Sequence, residues 1–334
     1  MGDLRTFPLL TEGKVHKRCA LGQIDTLGFS FPVQDFSVIG ATMTVRDLGT
    51  ESESRSWTRK LPGGGFLSTG IGGKAWVEAS LPRRIDGENV EALDVSEALD
   101  VAHWAYREAL GFCEPVGGRG RFEESKLVRV DPVRDFDGIG HVPELLNGLA
   151  AVPRSSVHKV RRFADAERNA AESLRVGPKA WGAQLYDKHA ETKGVAEVGR
   201  LRYEGRFHHE QLTSKWAHKV GAVMRVVGDM SQEKVSALCS ASFSRVAFDR
   251  EVVGRATVAE RVFGGNGLSE RVQAQLWVYL TAPGAAGRMH RNTAYKYREL
   301  AAQLGVTMAA AESECAEMCV RLDYESGREL VRVA

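Results

Sequence analysis

The chain carries a tyrosine, a lysine and several carboxylates on short segments that alternate apolar and polar residues as β-strands do. Tyr186 and Lys188 lie two residues apart within residues 185–191. The carboxylates that could join them are Asp131, Asp135, Glu191 and Glu204. A tyrosine oxygen attacks phosphorus when nearby positive charge favours its phenolate, and carboxylate oxygens bind hard cations such as Mg²⁺ or Mn²⁺. These residue types are those of metal-assisted phosphoryl transfer to tyrosine.

Ordinary structural roles are open to the same residues. A tyrosine at the edge of a hairpin usually packs its ring and leaves its hydroxyl at the surface. Exposed sheet faces are routinely charged, and Arg202 or Arg206 could pair with Glu204 across a sheet. The residues alone therefore leave two interpretations open, a reactive tyrosine site and a solvated charged face.

Asp131 is predicted to lie on a strand over residues 126–136. Alternation places Val130 on the face toward the core and Asp131 on the open face. Asp135 shares the parity of Asp131, but four residues of straight strand span roughly 13 Å. One metal ion could contact both carboxylates only if the chain bends, and Pro132, which removes a ladder donor, marks a site for such a bend.

Tyr186 and Glu204 are predicted to lie on an antiparallel hairpin formed by residues 181–188 and 198–207. One face of this hairpin should be apolar and the other wet. The apolar face comprises Ala183, Leu185, Leu201, Tyr203 and Phe207. The wet face comprises Gln184, Tyr186, Lys188, Arg202, Glu204 and Arg206.

The remaining elements follow from periodicity and from turn residues. A first strand over residues 24–31 should end at Pro32. Residues 96–110 have the spacing of an amphipathic helix behind a serine cap, and residues 156–171 are also predicted to be helical. Beyond about residue 212 helices dominate, the last of them over residues 309–323.

These elements predict an α+β fold. A flexible lead-in of residues 1–20 should precede an antiparallel-sheet catalytic domain with packed helices over residues 21–212, and a mostly helical domain should follow over residues 213–334. At 334 residues and 43% apolar content, the chain can fill a real core. The N-terminal residues have no apolar signal segment and no stretch reaches about 18 uncharged apolar residues, so we expect a cytoplasmic protein without a membrane partner.

The formal net charge of +2 argues against strong nonspecific affinity of the whole protein for nucleic acid. Any DNA binding must therefore come from local basic patches, although such runs are also common on solvated helix faces. One candidate patch contains Arg154, Lys159, Arg161 and Arg162. The other contains Arg288, Arg291, Lys296 and Arg298, close to Tyr295 and Tyr297.

The order and spacing of the motifs resemble the rolling-circle replication initiators of small bacterial plasmids and filamentous phages, the replication initiation factor family. The resemblance extends over about residues 24–305. Its carriers are residues 25–27 (DTL), 79–82 (ASLP), 87–90 (GENV), 129–131 (RVD), 135–136 (DF), 185–188 (LYDK) with Glu191, 202–204 (RYE) and 295–300 (YKYREL). Two departures from the family pattern, Pro132 and Gly205, bear on the metal geometry.

Proteins of that family nick one strand at the double-strand origin and stay joined through tyrosine to the 5′ phosphate. They leave a 3′ hydroxyl for polymerase and finally rejoin the displaced circle. The resemblance implies that Tyr186 is the nucleophile and that Lys188 lies beside the phosphate. It places the ligands of Mg²⁺ or Mn²⁺ among Asp131, Asp135, Glu191 and Glu204. Implied partners are supercoiled origin DNA, a host helicase and a polymerase, with a homodimer allowed.

Two other functions compete with this one. A noncatalytic, sequence-specific DNA-binding regulator could use the same scaffold without any reaction at Tyr186. A mobilisation relaxase would act at a transfer origin and would need a conjugation partner. The sequence alone does not choose among the three.

Overall fold

The computed structural model describes residues 21–36, 40–47, 53–70, 73–87, 90–116, 121–140, 142–151, 160–165, 170–177, 181–249, 252–253, 255–281, 288–304, 306 and 318–333. Over these residues the protein is an α+β structure, as predicted, with a large antiparallel sheet, packed helices and a helical region toward the C-terminus. No helix within the described ranges has the length and apolar character needed to cross a membrane.

Eleven described strands form the large sheet. They are β1 (Gln23–Phe36), β2 (Thr42–Asp47), β3 (Glu53–Lys60), β4 (Phe66–Gly70), β5 (Lys74–Ser80), β6 (Cys113–Pro115), β7 (Lys126–Phe136), β8 (Val160–Asp165), β9 (Ala170–Val176), β10 (Trp181–Asp187) and β11 (Leu201–His208). Ten of them run side by side in the order β2-β3-β4-β5-β1-β7-β11-β10-β9-β8, and β6 pairs with the end of β1. Asp131 and Asp135, Glu204, and Tyr186 therefore lie on the neighbouring strands β7, β11 and β10, whereas Lys188 and Glu191 follow the end of β10.

The helices and a small second sheet complete the described fold. The helices are α1 (Leu81–Asp86), α2 (Val95–Leu110), α3 (Val142–Ala151), α4 (Lys188–Glu191), α5 (His209–Leu212), α6 (Lys215–Lys219), α7 (Gln232–Arg245), α8 (Arg255–Phe263), α9 (Glu270–Thr281) and α10 (Arg291–Gln303). The small sheet comprises β12 (Val252–Val253), β13 (Met318–Asp323) and β14 (Arg328–Val333).

The main core lies between the apolar face of the large sheet and the helices α2 and α7. Phe136 on β7 and Tyr203 on β11 contact Phe243 of α7, with ring centres 5.5 and 5.2 Å apart. Phe29 on β1 and Tyr106 of α2 lie 6.2 Å apart at the other end. A second apolar cluster is formed by α8, α9 and α10. The predicted domain boundary near residue 212 stays a prediction.

A buried arginine ties the C-terminal hairpin to the central sheet. Arg134 on β7 is fully buried and donates to the backbone carbonyls of Tyr324 at 2.8 Å and Glu325 at 2.7 Å. Both carbonyls belong to the turn between β13 and β14. Because a buried guanidinium needs acceptors for its donors, this turn is fixed against the strand that also carries Asp131 and Asp135.

Three predicted elements are wrong. Residues 160–165 and 170–171 of the predicted helix 156–171 belong instead to the strands β8 and β9, and residues 318–323 of the predicted helix 309–323 form β13. In these segments pairing with neighbouring strands overrides the helical spacing of the apolar residues. The first strand does not end at Pro32, because that residue pairs with Lys74 and β1 continues to Phe36.

The cap of α2 also differs from the prediction. Asp94, rather than Ser96, precedes the helix, and its side chain accepts from the backbone N–H of Glu97 at 2.9 Å. The Glu97 side chain in turn accepts from the backbone N–H of Asp94, which completes a capping box. Ser96 is the second residue of the helix and lies inside the first turn, so it cannot be the cap.

Candidate active site

A β-bulge places a buried carboxylate that the sequence prediction missed. Ile24 pairs with Pro132 and Thr26 pairs with Asp131, so Asp25 is the extra residue of β1 at this point. The Asp25 side chain is 4% exposed and accepts from the Thr26 hydroxyl at 2.9 Å. The sequence feature that could have indicated Asp25 is an acidic residue within an otherwise mostly apolar strand. The bend expected at Pro132 takes the form of this bulge on the neighbouring strand.

Asp135 on β7 is held by Arg202 on β11. The two residues are direct cross-strand partners, and Arg202 donates Nε at 2.6 Å and Nη2 at 2.7 Å to the two carboxylate oxygens. Arg202 is fully buried, donates also to the Val90 carbonyl at 2.6 Å, and its Nη1 lies 3.6 Å from Asp25 Oδ1. Arg202 therefore offsets the negative charge of Asp135 directly and that of Asp25 from a greater distance.

Asp131 is held in a similar way by Arg129 of its own strand. Arg129 Nε lies 2.9 and 3.1 Å from the two Asp131 oxygens, and its Nη1 pairs with Glu78 of β5. Asp131 was predicted on an open face, yet it is fully buried. Burial raises the pKa of the Asp131 carboxyl, and the positive charge of Arg129 opposes that shift.

The charged side chains of β7 and β11 described above form a buried polar layer on one face of the sheet. Tyr186 lies within this polar layer rather than at a solvated surface. It is opposite Arg202 on β11, is 5% exposed, and its hydroxyl donates to Glu204 Oε2 at 3.5 Å. Burial raises the pKa of Tyr186 well above its usual value, the nearby Glu204 adds to the shift, and Arg202 opposes it. The prediction of a wet hairpin face is wrong at these positions, because the charged side chains pack against one another and exclude solvent.

Glu204 is the acceptor closest to the tyrosine hydroxyl. Its side chain is 13% exposed. Burial, followed by the negative charges of Asp131 and Asp25, raises the pKa of Glu204 to about 7. Arg206 Nη2 lies 3.4 Å from Glu204 Oε1 and partly offsets this shift. A carboxylate with this pKa can take up a proton near neutral pH.

Lys188 lies at the end of the polar layer, beside Tyr186. Asp187 caps α4 by accepting from the backbone N–H of Ala190 at 3.0 Å, which turns Lys188 inward. The Lys188 amino group is fully buried, lies 2.9 Å from Glu191 Oε2 and lies 5.5 Å from the centre of the Tyr186 ring. Burial lowers the pKa of Lys188, Arg202 lowers it further, and Glu191 opposes both effects.

The four carboxylates predicted as metal ligands do not converge in this arrangement. Asp135 is engaged by Arg202 and Glu191 by Lys188, whereas Asp131 and Glu204 share Arg206. Within the part of the chain that the structure describes, no three His, Cys, Asp or Glu side chains form a group able to hold a metal ion. The residues as they stand do not fit Mg²⁺ or Mn²⁺, so no reaction step is derived through a metal, and the cofactor stays a prediction.

Comparison with known proteins adds little to this geometry. No protein-family model matches the chain, and no curated protein matches it. Among solved structures, the chain is similar to a rolling circle replication initiator protein from Geobacillus stearothermophilus, at 16% identity and a TM-score of 0.34, over 62% of this chain and 78% of that chain.

The predicted DNA-binding residues fall on two separate elements. Arg161 is exposed on β8, Arg162 is on the same strand, and Arg154 and Lys159 lie outside the described residues. The second group lies on or just before α10. There Arg288, Lys296 and Arg298 are exposed and Arg291 begins the helix. The guanidinium of Arg298 lies 4.9 Å from the ring centre of Tyr295, which is 53% exposed.

Proposed function

We propose that the chain nicks and rejoins one strand of DNA through Tyr186, as the initiator of rolling-circle replication on a small plasmid or phage. The observation that carries this proposal is the contact of the Tyr186 hydroxyl with Glu204, in a layer that also holds Arg202 and Lys188. A nucleophile, a proton acceptor and two cations thus lie together on two neighbouring strands and at the start of α4. The motif order quoted above supports the same function.

The proposed reaction begins with proton transfer from the Tyr186 hydroxyl to the Glu204 carboxylate. The tyrosine oxygen then attacks the scissile phosphorus in line, the bond from phosphorus to the 3′ oxygen breaks, and that oxygen takes up the proton that Glu204 accepted. The products are a 5′ phosphotyrosine and a free 3′ hydroxyl. Since the phosphodiester energy is retained, attack by a 3′ hydroxyl on the phosphotyrosine returns the proton to tyrosine and reseals the strand.

Arg202 and Lys188 would supply the positive charge that this reaction needs. Charge increases on the phosphoryl oxygens as tyrosine attacks, and fixed cations in a dry site stabilise that charge without reorganising. Both cations are paired in the resting site, with Asp135 and Glu191 respectively. The site would therefore hold its charges in place before the substrate arrives, as electrostatic preorganisation requires.

The structure restricts the access of DNA to the Tyr186 side chain. Tyr186 is 5% exposed, whereas Arg206 is 48% and Glu191 41% exposed at the rim of the same layer. We infer that DNA first contacts this rim and that the Tyr186 ring turns outward, or the rim opens, before attack.

The test is a covalent adduct between protein and DNA. The protein is incubated with a supercoiled circle that carries its own gene region, with Mg²⁺ or Mn²⁺ or with a chelator, and is analysed on a denaturing gel. We expect an adduct that Tyr186→Phe lacks and that Tyr295→Phe retains; loss of the adduct in the chelator would add the predicted cation to the site. An adduct that persists in Tyr186→Phe would contradict the assignment of the nucleophile.

A noncatalytic DNA-binding regulator is the second candidate. The observation that favours it is the burial of Tyr186, which raises its pKa, together with the ion pairs already formed by Arg202 and Lys188. These features suit a structural polar layer. Sequence-specific binding to the same circle, with no adduct in the wild-type protein under any metal, would establish this function in place of nicking.

A further inference from the structure

A row of opposed residues crosses the large sheet from its β8 edge to the candidate site. Arg161 on β8 pairs with Arg175 on β9, Arg175 pairs with Gln184 on β10, and Gln184 pairs with Glu204 on β11. Directly opposed residues of antiparallel strands share a face, and Tyr186 shares that face with Gln184 because it lies two residues further along. Arg161 and Arg175 are therefore on the face of the sheet that carries the tyrosine.

Exposure along this row falls steadily toward the site. Arg161 and Arg175 are exposed, Gln184 is half-buried and Tyr186 is 5% exposed. Arg175 Nε donates to Gln184 Oε1 at 3.1 Å, which links the open part of the row to β10. The opposite face of the same strands carries buried core residues, Leu174 among them. The polar face is thus open at the β8 edge and closed at the tyrosine.

A glycine leaves the sheet surface bare beside this row. Gly182 is opposite Arg206 on β11 and shares the face of Gln184. A Cβ added at Gly182 would meet the Val176 carbonyl only at 3.6 Å, so the space above the glycine is open. Arg206 lies at the far side of this space, 3.5 Å from Asp131. Arg206 therefore borders the bare surface on β11, and Arg175 lies diagonally across it on β9.

The charge of this surface suits a chain of phosphates. Arg161 and Arg175 are directly opposite each other on neighbouring strands, and both are exposed. The planar guanidinium binds phosphate with two parallel hydrogen bonds. Strands lie about 4.8 Å apart, so Arg175 and Arg161 lie roughly 5 and 10 Å from β10.

We propose that Arg161, Arg175 and Arg206 bind successive phosphates of a single DNA strand and guide it across Gly182 and Gln184 to Tyr186. The inference rests on the proposed function, and it adds Arg175 and the path of the strand. A single strand is the occupant, because it can bend over one sheet face and bring one phosphate to a buried side chain. A rigid duplex cannot follow so short a path.

Fluorescence anisotropy with a labelled oligodeoxythymidine tests this path without requiring any reaction. Arg161→Gln and Arg175→Gln remove exposed charges that lie outside the catalytic cluster. Lys219→Gln is the matched control, since it removes one exposed charge from α6, whose Trp216 stacks on Phe207 of the opposite face. We expect the slope of log affinity against log salt to fall by about 0.7 for each arginine removed and to stay unchanged in the control.

The outcomes separate this inference from the proposed function. Weaker oligonucleotide binding in both arginine variants, with wild-type affinity in Lys219→Gln, supports the path even if the wild-type protein forms no adduct. Wild-type affinity and salt slope in the Arg161→Gln, Arg175→Gln double variant would overturn it, even if the tyrosine adduct forms. A duplex of the same length that competes as well as the single strand would also overturn it.

Discussion

Arg202 and Asp135 face each other across β11 and β7 with both guanidinium-to-carboxylate bonds formed and both side chains buried. Asp135→Ala would leave the Arg202 charge buried with only the more distant Asp25 to balance it. We expect a loss of about 3–5 kcal/mol in the free energy of unfolding, measured with urea. The control is Glu124→Ala at the exposed pair with Arg121, for which we expect about 0–1 kcal/mol. Equal losses in the two variants would contradict the buried pair.

Glu204 predicts a specific dependence of stability on pH. The folded protein keeps this proton up to about pH 7, whereas the unfolded chain releases it near the ordinary value of 4.5. The folded state therefore binds more protons between these values, and the contribution of Glu204 to stability falls as pH rises through that window. Glu204→Gln cannot titrate and therefore does not lose this stability as pH rises. Between about pH 5 and about pH 8, the free energy of unfolding of Glu204→Gln should increase relative to that of the wild type by up to about 3 kcal/mol.

Denaturant unfolding of both proteins at several pH values checks the Glu204 prediction. Glu210→Gln on α5 controls for the loss of one exposed negative charge. A constant difference between Glu204→Gln and wild type across this range would mean that Glu204 is charged in the folded protein. The carboxylate would then already be ionised at the start of the proposed reaction.

The cap of α2 offers a prediction with a control two residues away. Asp94→Ala removes the acceptor for the Glu97 backbone N–H and should lower the free energy of unfolding by about 1 kcal/mol. Ser96 is exposed and lies inside the first turn, so Ser96→Ala should change stability by less than about 0.5 kcal/mol. Thermal unfolding of the two variants compares them directly, and a larger effect at Ser96 would contradict the observed cap.

Gly28 permits the close approach of Arg129. A Cβ at Gly28 would lie 3.0 Å from the Arg129 Cβ, tighter than ordinary packing, and Arg129 holds both Glu78 and Asp131. Gly28→Ala should therefore cost about 1–3 kcal/mol in urea unfolding. Gly182→Ala is the matched strand control, because its Cβ has room, and we expect no loss there. A neutral Gly28→Ala variant would show that Arg129 shifts without cost.

Part of this architecture can be predicted from the alternation of apolar and polar residues alone. The faces of the hairpin were predicted correctly, because Leu201, Tyr203 and Phe207 recur at every second position and all three are buried. The same alternation could not show that Arg202 and Tyr186 would be buried as well. Their environment depends on partners far away in sequence, such as Asp135 and the Val90 carbonyl.

Two other features could not be predicted from the local sequence pattern. Asp25 enters the cluster through a bulge, and a bulge depends on the register between β1 and β7 rather than on residues near Asp25. The segment that forms β8 and β9 has apolar residues at helical spacing, but strand pairing with β10 decides its structure. The sequence therefore named Tyr186 and most of the charged residues of the layer, whose catalytic roles stay a prediction, but not the contacts that join them.

The central position of β1 bears on how the protein folds. This strand is synthesised first among the described elements, yet it lies between β5 and β7, with Thr26 opposite both Ser80 and Asp131. Its hydrogen bonds must wait until distant parts of the chain arrive, and pairings so distant in sequence make folding slow. We expect the polar layer around Tyr186 to form late in refolding, after the hairpin of β10 and β11, whose partners are close in sequence.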